Sequence, residues 1–226
     1  MPFLVTQVLA WTSLGIDGGL SARADSTAGF RNRSSISVRI ASAAWLPFAP
    51  KKSIAEMSDP SVLAGQLNEH RAEMNGALLA EGGTVMQFVG DAVMAVFGAP
   101  FEQPDHAERA VRAAATMHAR QAELNKRWES SGLPAFHLGI GISTGDVAAA
   151  LLGSEERLEY SVVGDAVNLA QRLQQWGEGG QTVLSDPTYA LLASPPECER
   201  LEPALVKGRQ TPVGAHRLGA VLGVPS

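Results

Sequence analysis

A single cysteine, Cys198, stands among 226 residues, so no disulfide can form within the chain, and a reducing cytoplasm is the expected setting. His70, His106, His118, His137 and His216 have no close cysteine partners, which leaves no zinc-type ligand spacing. A surplus of positive charge is missing too. The formal net charge is −5, which argues against a partner bound by phosphate neutralisation, and no nucleic-acid partner is expected. Long apolar runs are absent: Phe3–Ile16 (FLVTQVLAWTSLGI) is too short to cross a bilayer as a helix, so no membrane partner is expected either. No Lys or Arg precedes that stretch, so it lacks the basic start of a signal peptide, although Ala22-Arg-Ala24 has the look of a cleavage site. There is no internal repeat. Carboxylates are missing from one long stretch, since no Asp or Glu occurs between Asp25 and Glu56.

Hydrophobic residues make up 45% and charged residues 18%, the balance of an ordinary globular chain long enough to bury a substantial core. The charge is uneven. Residues 1–54 carry six basic and two acidic side chains, a net of +4, which leaves −9 for the remainder. Residues 1–34 read as a poorly ordered extension rich in Ser, Ala and Gly. Ser35–Ala43 alternates Ile36, Val38 and Ile40 and reads as an opening half-buried strand, so one domain is expected over residues 35–220.

From Ser58 the pattern becomes regular. Ser58-Asp59-Pro60 starts a helix and Gly82-Gly83 stops it, with Val62, Leu63, Leu67, Met74, Leu78 and Leu79 giving the apolar face. Thr84–Val89 and Ala92–Phe97 read as two short strands around a Gly90–Asp91 turn. A second helix runs from near Asp105 to Gly132, and Ala135–Ser143 is a central strand. Ser161–Val163 is a short strand, Ala166–Trp176 a third helix, and Thr182–Leu184 a strand. Pro187–Leu192 is a short helix, followed by strands near Leu201–Val206 and Ala215–Leu218. Strand, helix, hairpin, helix, strand is the start of a βαββαβ ferredoxin-like core, an α/β (α+β) fold.

Two stretches carry chemistry. In Gly82–Pro100 (GGTVMQFVGDAVMAVFGAP), Asp91 sits in a tight turn between apolar strands. Aspartate is a good turn residue, and it is also a hard-cation ligand of the kind Mg²⁺ favours when its oxygens are held in place. Downstream, Gly164-Asp-Ala-Val-Asn168-Leu-Ala-Gln-Arg172 spaces Asn168 and Arg172 so that both fall on one helix face.

Together these stretches resemble the catalytic domain of the class III adenylate and guanylate cyclases, from about Ser58 to Leu218. The resemblance implies a nucleotide cyclase-like fold and a homodimer, with each site built by two subunits. It also implies conversion of a purine nucleoside triphosphate, ATP more than GTP, to its 3′,5′-cyclic monophosphate and pyrophosphate, with Mg²⁺ or Mn²⁺ as cofactor. Asp91 falls on the metal aspartate of the hairpin, Asn168 and Arg172 on the transition-state pair, and Lys207 on the phosphate-binding lysine. Gln87 and Ser161 fall on the two base-reading positions. An amide and a hydroxyl each donate and accept, so neither purine is strongly selected.

The resemblance also implies a first metal aspartate near Pro47, in a Phe-x-Asp-x-x-Gly-Phe-like loop. The chain there reads Trp45-Leu-Pro-Phe-Ala-Pro-Lys-Lys, without a carboxylate. Two accounts follow from this. Either the chain is a degenerate cyclase, a pseudoenzyme that dimerises or senses nucleotide, or residues 1–54 are encoded out of register with the family sequence. The Gly-Gly-Asp/Glu-Glu-Phe turn of the diguanylate cyclases is absent.

Overall fold

The computed structural model describes residues 3–4, 6–12, 37–39, 59–89, 91–154, 157–177, 179–206 and 209–218. The strands are β1 (Phe3–Leu4), β2 (Thr6–Thr12), β3 (Ser37–Arg39), β4 (Thr84–Val89), β5 (Ala92–Phe97), β6 (Leu138–Thr144), β7 (Asp146–Ser154), β8 (Arg157–Val163), β9 (Thr182–Ser185), β10 (Cys198–Ala204) and β11 (Val213–Leu218). The helices are α1 (Pro60–Ala80), α2 (His106–Ser130), α3 (Asp165–Gln174) and the one-turn α4 (Asp186–Tyr189).

Helix α1 begins where its sequence says it should. The Asp59 carboxylate accepts from the Ser61 N–H at 2.8 Å, and Pro60 occupies the first turn, where its missing N–H costs nothing. Gly82 takes a φ of +75°, and Gly83 N–H closes back on the Leu78 carbonyl at 2.9 Å.

A seven-stranded sheet has the order β10-β11-β9-β6-β2-β5-β4. Its β6-β2-β5-β4 half is antiparallel throughout, which is the expected ferredoxin-like arrangement. The opening strand is not the expected one, however. Thr6–Thr12 lies between β5 and β6, pairing Thr6 with Phe97 and with Thr144, so part of the supposed extension is central sheet. The described part of Ser35–Ala43 is Ser37–Arg39, which lies in a second sheet of order β1-β3-β7-β8. The physical reason is geometric: the slot between β5 and β6 takes a seven-residue strand, and TQVLAWT fills it. The remaining residues of the expected extension lie outside those described.

The core has two sides. Helices α1 and α2 cover one face through Met74, Leu78, Ala110, Ala114 and Met117, against Val93, Ala95, Phe97, Ile140 and Ile142. Helix α3 covers the other, placing Ala166 and Ala170 against Ala92, Met94 and Val96. Leu169 and Leu173 pack with Val183, Val213 and Ala215. The alternation in Leu138-Gly-Ile-Gly-Ile explains how α3 seats. Isoleucines point to α2, while a Cβ at Gly141 would overlap the Ala170 carbonyl and stand 2.7 Å from the Gln174 nitrogen. Glycine here lets the helix lie directly on the strand.

Candidate active site

The β4–β5 hairpin forms with the bounds its sequence predicts, Val89 pairing with Ala92 across the turn. Gly90 lies outside the described residues. Asp91 is in that turn, yet it is only 5% exposed rather than standing free at a tip. The cause is the packing of the turn beside α1, where the Asp91 backbone reaches the ring of His70. His70 is itself buried, and desolvation lowers its pKa to about 4. Its Nδ1 lies 2.7 Å from Gln121 Oε1, and Gln121 donates to Asn125 at 2.8 Å. Asn125 then bonds both the carbonyl and the N–H of Phe136. A polar chain therefore runs from His70 of α1 through Gln121 and Asn125 of α2 to the approach of β6.

Gln87 is exposed on β4, its amide 3.8 Å from Met94 Sδ. Ser161 lies in β8, paired with Ala150 of β7. On α3, Ala166, Leu169, Ala170, Leu173 and Gln174 form the buried side. Asn168 is exposed and Arg172 partly so, which leaves the expected pair on the open side of the helix. Lys207 lies outside the described residues, but its flanks are placed. Arg209 N–H closes on the Val206 carbonyl at 2.9 Å, and the Arg209 guanidinium pairs with the carboxylate of Asp165, the first residue of α3. Arg209, two residues after Lys207 in the sequence, is thereby tied to the helix bearing Asn168 and Arg172. Sequence reading missed this clasp, because Asp165 and Arg209 lie far apart in the chain.

The register of β2 shows which of its residues lies level with the hairpin turn. Ala10 pairs with Val93, and two residues further along each strand are Thr12 and Asp91. The end of β2 thus runs beside the hairpin turn, where the cyclase pattern calls for an aspartate. It is Thr12 that stands there; the neighbourhood of Pro47 lies outside the described residues. The clue in the sequence was Ala10-Trp-Thr12-Ser-Leu-Gly15-Ile16, which keeps the Gly of Phe-x-Asp-x-x-Gly-Phe three residues after the ligand position. No residue of β2 is acidic. Among the described residues there is also no cluster of three or more metal-ligating side chains. Among the described residues, the donors at the hairpin turn fit one carboxylate ligand and not the pair that a two-cation site requires.

The strand order, the α3 layer and this site define the α+β nucleotide cyclase fold. The family model for the adenylate and guanylate cyclase catalytic domain matches residues 49–218, and the chain belongs to that family. Adenylate cyclase 1 of Rhizobium meliloti is 33% identical over 173 residues, covering 75% of this chain and 26% of the relative. The chain thus spans about a quarter of that curated relative's length. Among solved structures, the adenylyl cyclase CyaB from P. aeruginosa superposes with a TM-score of 0.74 at 24% identity, covering 95% of this chain and 93% of that one. The guanylyl cyclase Cya2 gives 0.72 at 26%, covering 96% and 93%. Members of the family generally use divalent metal ions. No described helix is long and apolar enough to cross a membrane.

Proposed function

We propose that this chain is a class III nucleotide cyclase domain that binds a purine nucleoside triphosphate, ATP in preference to GTP, as a cytoplasmic homodimer. Its turnover to the 3′,5′-cyclic monophosphate and pyrophosphate is held low by the missing first metal carboxylate. The observation that carries the reading is the Asp165–Arg209 pair, which joins the first residue of the Asn168/Arg172 helix to Arg209, two positions after Lys207 in the sequence. In that role Lys207 holds the polyphosphate as a compact cation. Arg172 and Asn168 offset charge on the pentacoordinate phosphorus as the 3′-oxygen attacks and pyrophosphate leaves. Gln87 and Ser161 hydrogen-bond the base edge, and the site is shared between subunits, one supplying Asp91 and the partner subunit the Asn/Arg pair. Adenine is preferred on the strength of the Rhizobium relative's named activity.

Thr12 beside Asp91 favours a second reading, a dimerising or nucleotide-sensing domain without turnover. Isothermal titration with ATP and Mn²⁺, run beside mass-spectrometric detection of cyclic product, separates the two. Saturable binding with slow product formation supports the first, and binding with no product supports the second. Absence of binding to ATP and GTP alike would sink both.

A further inference from the structure

The only thiol of the chain lies in a second cluster, on the outer edge of the seven-stranded sheet. Cys198 opens the edge strand β10, partly exposed, and pairs with Leu218. Its Sγ lies 3.5 Å from Nδ1 of His216 on β11. The other nitrogen, Nε2, is 2.8 Å from Oδ1 of Asp186 at the start of α4, close enough for an ion pair though not aligned as a hydrogen bond. Three elements, β10, β11 and α4, thus align a thiol, an imidazole and a carboxylate.

The alignment is held in place. Tyr189 of α4 stacks on the His216 ring with centroids 3.9 Å apart and planes at 8°, fixing the ring's orientation. The Tyr189 hydroxyl is bonded to Cys198, which pushes its own titration upward. Asp186 rests on Gly214 so closely that a Cβ there would overlap its carboxylate. Arg200, two residues along β10 from Cys198 and paired with His216, has its guanidinium 3.7 Å from Asp186 Oδ2. The groups facing the thiol are therefore one imidazole and one phenol, with a carboxylate and a guanidinium behind. None belongs to the nucleotide site described above.

We propose that Cys198, with His216 as its base and Asp186 orienting that base, is a reactive thiol and a site of reversible mixed-disulfide formation with small-molecule disulfides. A neighbouring imidazole that accepts the proton is what turns a thiol into the nucleophilic thiolate at neutral pH. The Cys198 proton passes to Nδ1 while the Nε2 proton stays directed at Asp186. The thiolate then bonds one sulfur of the disulfide, whose S–S bond breaks, and the departing thiolate recovers the proton from His216. Two electrons move from Cys198 to the departing sulfur, so no further oxidant is needed.

Because the thiol is unique, intact-mass labelling of the full chain reads it directly. Iodoacetamide labelling is followed at neutral pH in the folded chain and in the chain unfolded in urea. At pH 7 the folded chain should label about tenfold faster than the same chain unfolded in urea. Oxidised glutathione should add one glutathionyl group, removable by dithiothreitol. His216→Asn should bring the labelling of the folded chain down to the rate of the unfolded one, and Asp186→Asn should slow it part of the way. Labelling of the folded chain no faster than the unfolded one, or a His216→Asn variant as fast as the parent, would overturn the proposal. If a variant does not fold, as its melting curve will show, the comparison of folded and unfolded parent decides alone.

Discussion

Gly141 of β6 lies directly under the Ala170 carbonyl of α3, with no room for a side chain between strand and helix. The obstacle is backbone on both sides, which cannot swing away as a flexible side chain would. Gly141→Ala should therefore destabilise the fold by about 3 kcal/mol, at the upper end for overpacking. In a chain of this size that lowers the melting temperature by roughly 6–12 °C. Gly65, inside α1 with open space around it, is the control. Gly65→Ala should raise stability by about 0.5–1 kcal/mol through helix propensity. Equal melting temperatures for the two variants would show that α3 does not sit as tightly on β6 as described.

The Asp165–Arg209 pair predicts an effect on binding rather than on stability. Arg209 is 28% and Asp165 65% exposed at the side chain, and a pair so open to solvent adds at most about 1 kcal/mol to the fold. Its importance is positional, since it ties Arg209, two residues after Lys207 in the sequence, to α3. Arg209→Ala should leave the melting temperature within a few degrees, yet weaken ATP binding several-fold in titration calorimetry. Exchanging the charges, Asp165→Arg with Arg209→Asp, should recover most of the loss. Unchanged affinity in Arg209→Ala would remove the clasp from the binding machinery.

Two histidines, the buried His70 and the half-buried His118, give the fold a pH dependence of defined sign. Burial lowers the pKa of His70 and of His118 to about 4 from the usual 6.5, and His118 Nε2 rests 3.0 Å from the Thr182 hydroxyl. Between those values the unfolded chain binds protons that the folded chain does not, so stability rises with pH. The contribution is complete above pH 6.5 and is lost as pH falls from there towards 4. The full effect is roughly 3 kcal/mol per histidine. Urea midpoints should fall steadily between pH 7 and pH 4.5, and His118→Gln should flatten part of that slope. A midpoint constant over this range would contradict the burial of both rings.

The elements that were legible in the sequence were those written locally. The Asp59-Pro60 start and Gly82-Gly83 stop of α1, the apolar runs of the β4–β5 hairpin, and the alternation of Leu138–Thr144 each carry their own signal. So does the i, i+4 placement of Asn168 and Arg172 on α3. Strand β7 (Asp146–Ser154) escaped notice because DVAAALLGS has few β-branched residues and is strand only by pairing with β3 and β8. Strand β2 was missed for a related reason. TQVLAWT gains its place from the two neighbours it bridges, and no local pattern separates it from the residues that follow. With β2 unread, the expected metal position was sought near Pro47, and the end of β2 beside the hairpin turn was not considered. The burial of Asp91 was also out of reach, because it depends on α1 passing behind the turn.

Thr12 yields the most direct test of the catalytic reading. It is the last residue of β2, and the register that pairs Ala10 with Val93 carries it to the level of Asp91. A threonine hydroxyl at that point is neutral and a poor ligand for a hard cation, whereas a carboxylate would give the site its second anionic donor. Removing one preorganised charge-stabilising group from an active site costs on the order of 10²–10³ in rate, and restoring it should recover a comparable factor. The chain as it stands should therefore form little or no cyclic nucleotide from ATP or GTP in Mn²⁺, and Thr12→Asp should raise product formation about a hundredfold. Thr12→Asn keeps the shape of the aspartate without its charge and should remain near the parent, which separates a ligand effect from a packing effect. Product measured by mass spectrometry, with binding of ATP followed in parallel, distinguishes the outcomes. If Thr12→Asp and the parent are equally slow while both bind ATP, the end of β2 is not the missing ligand position and the pattern must be completed from elsewhere in the chain.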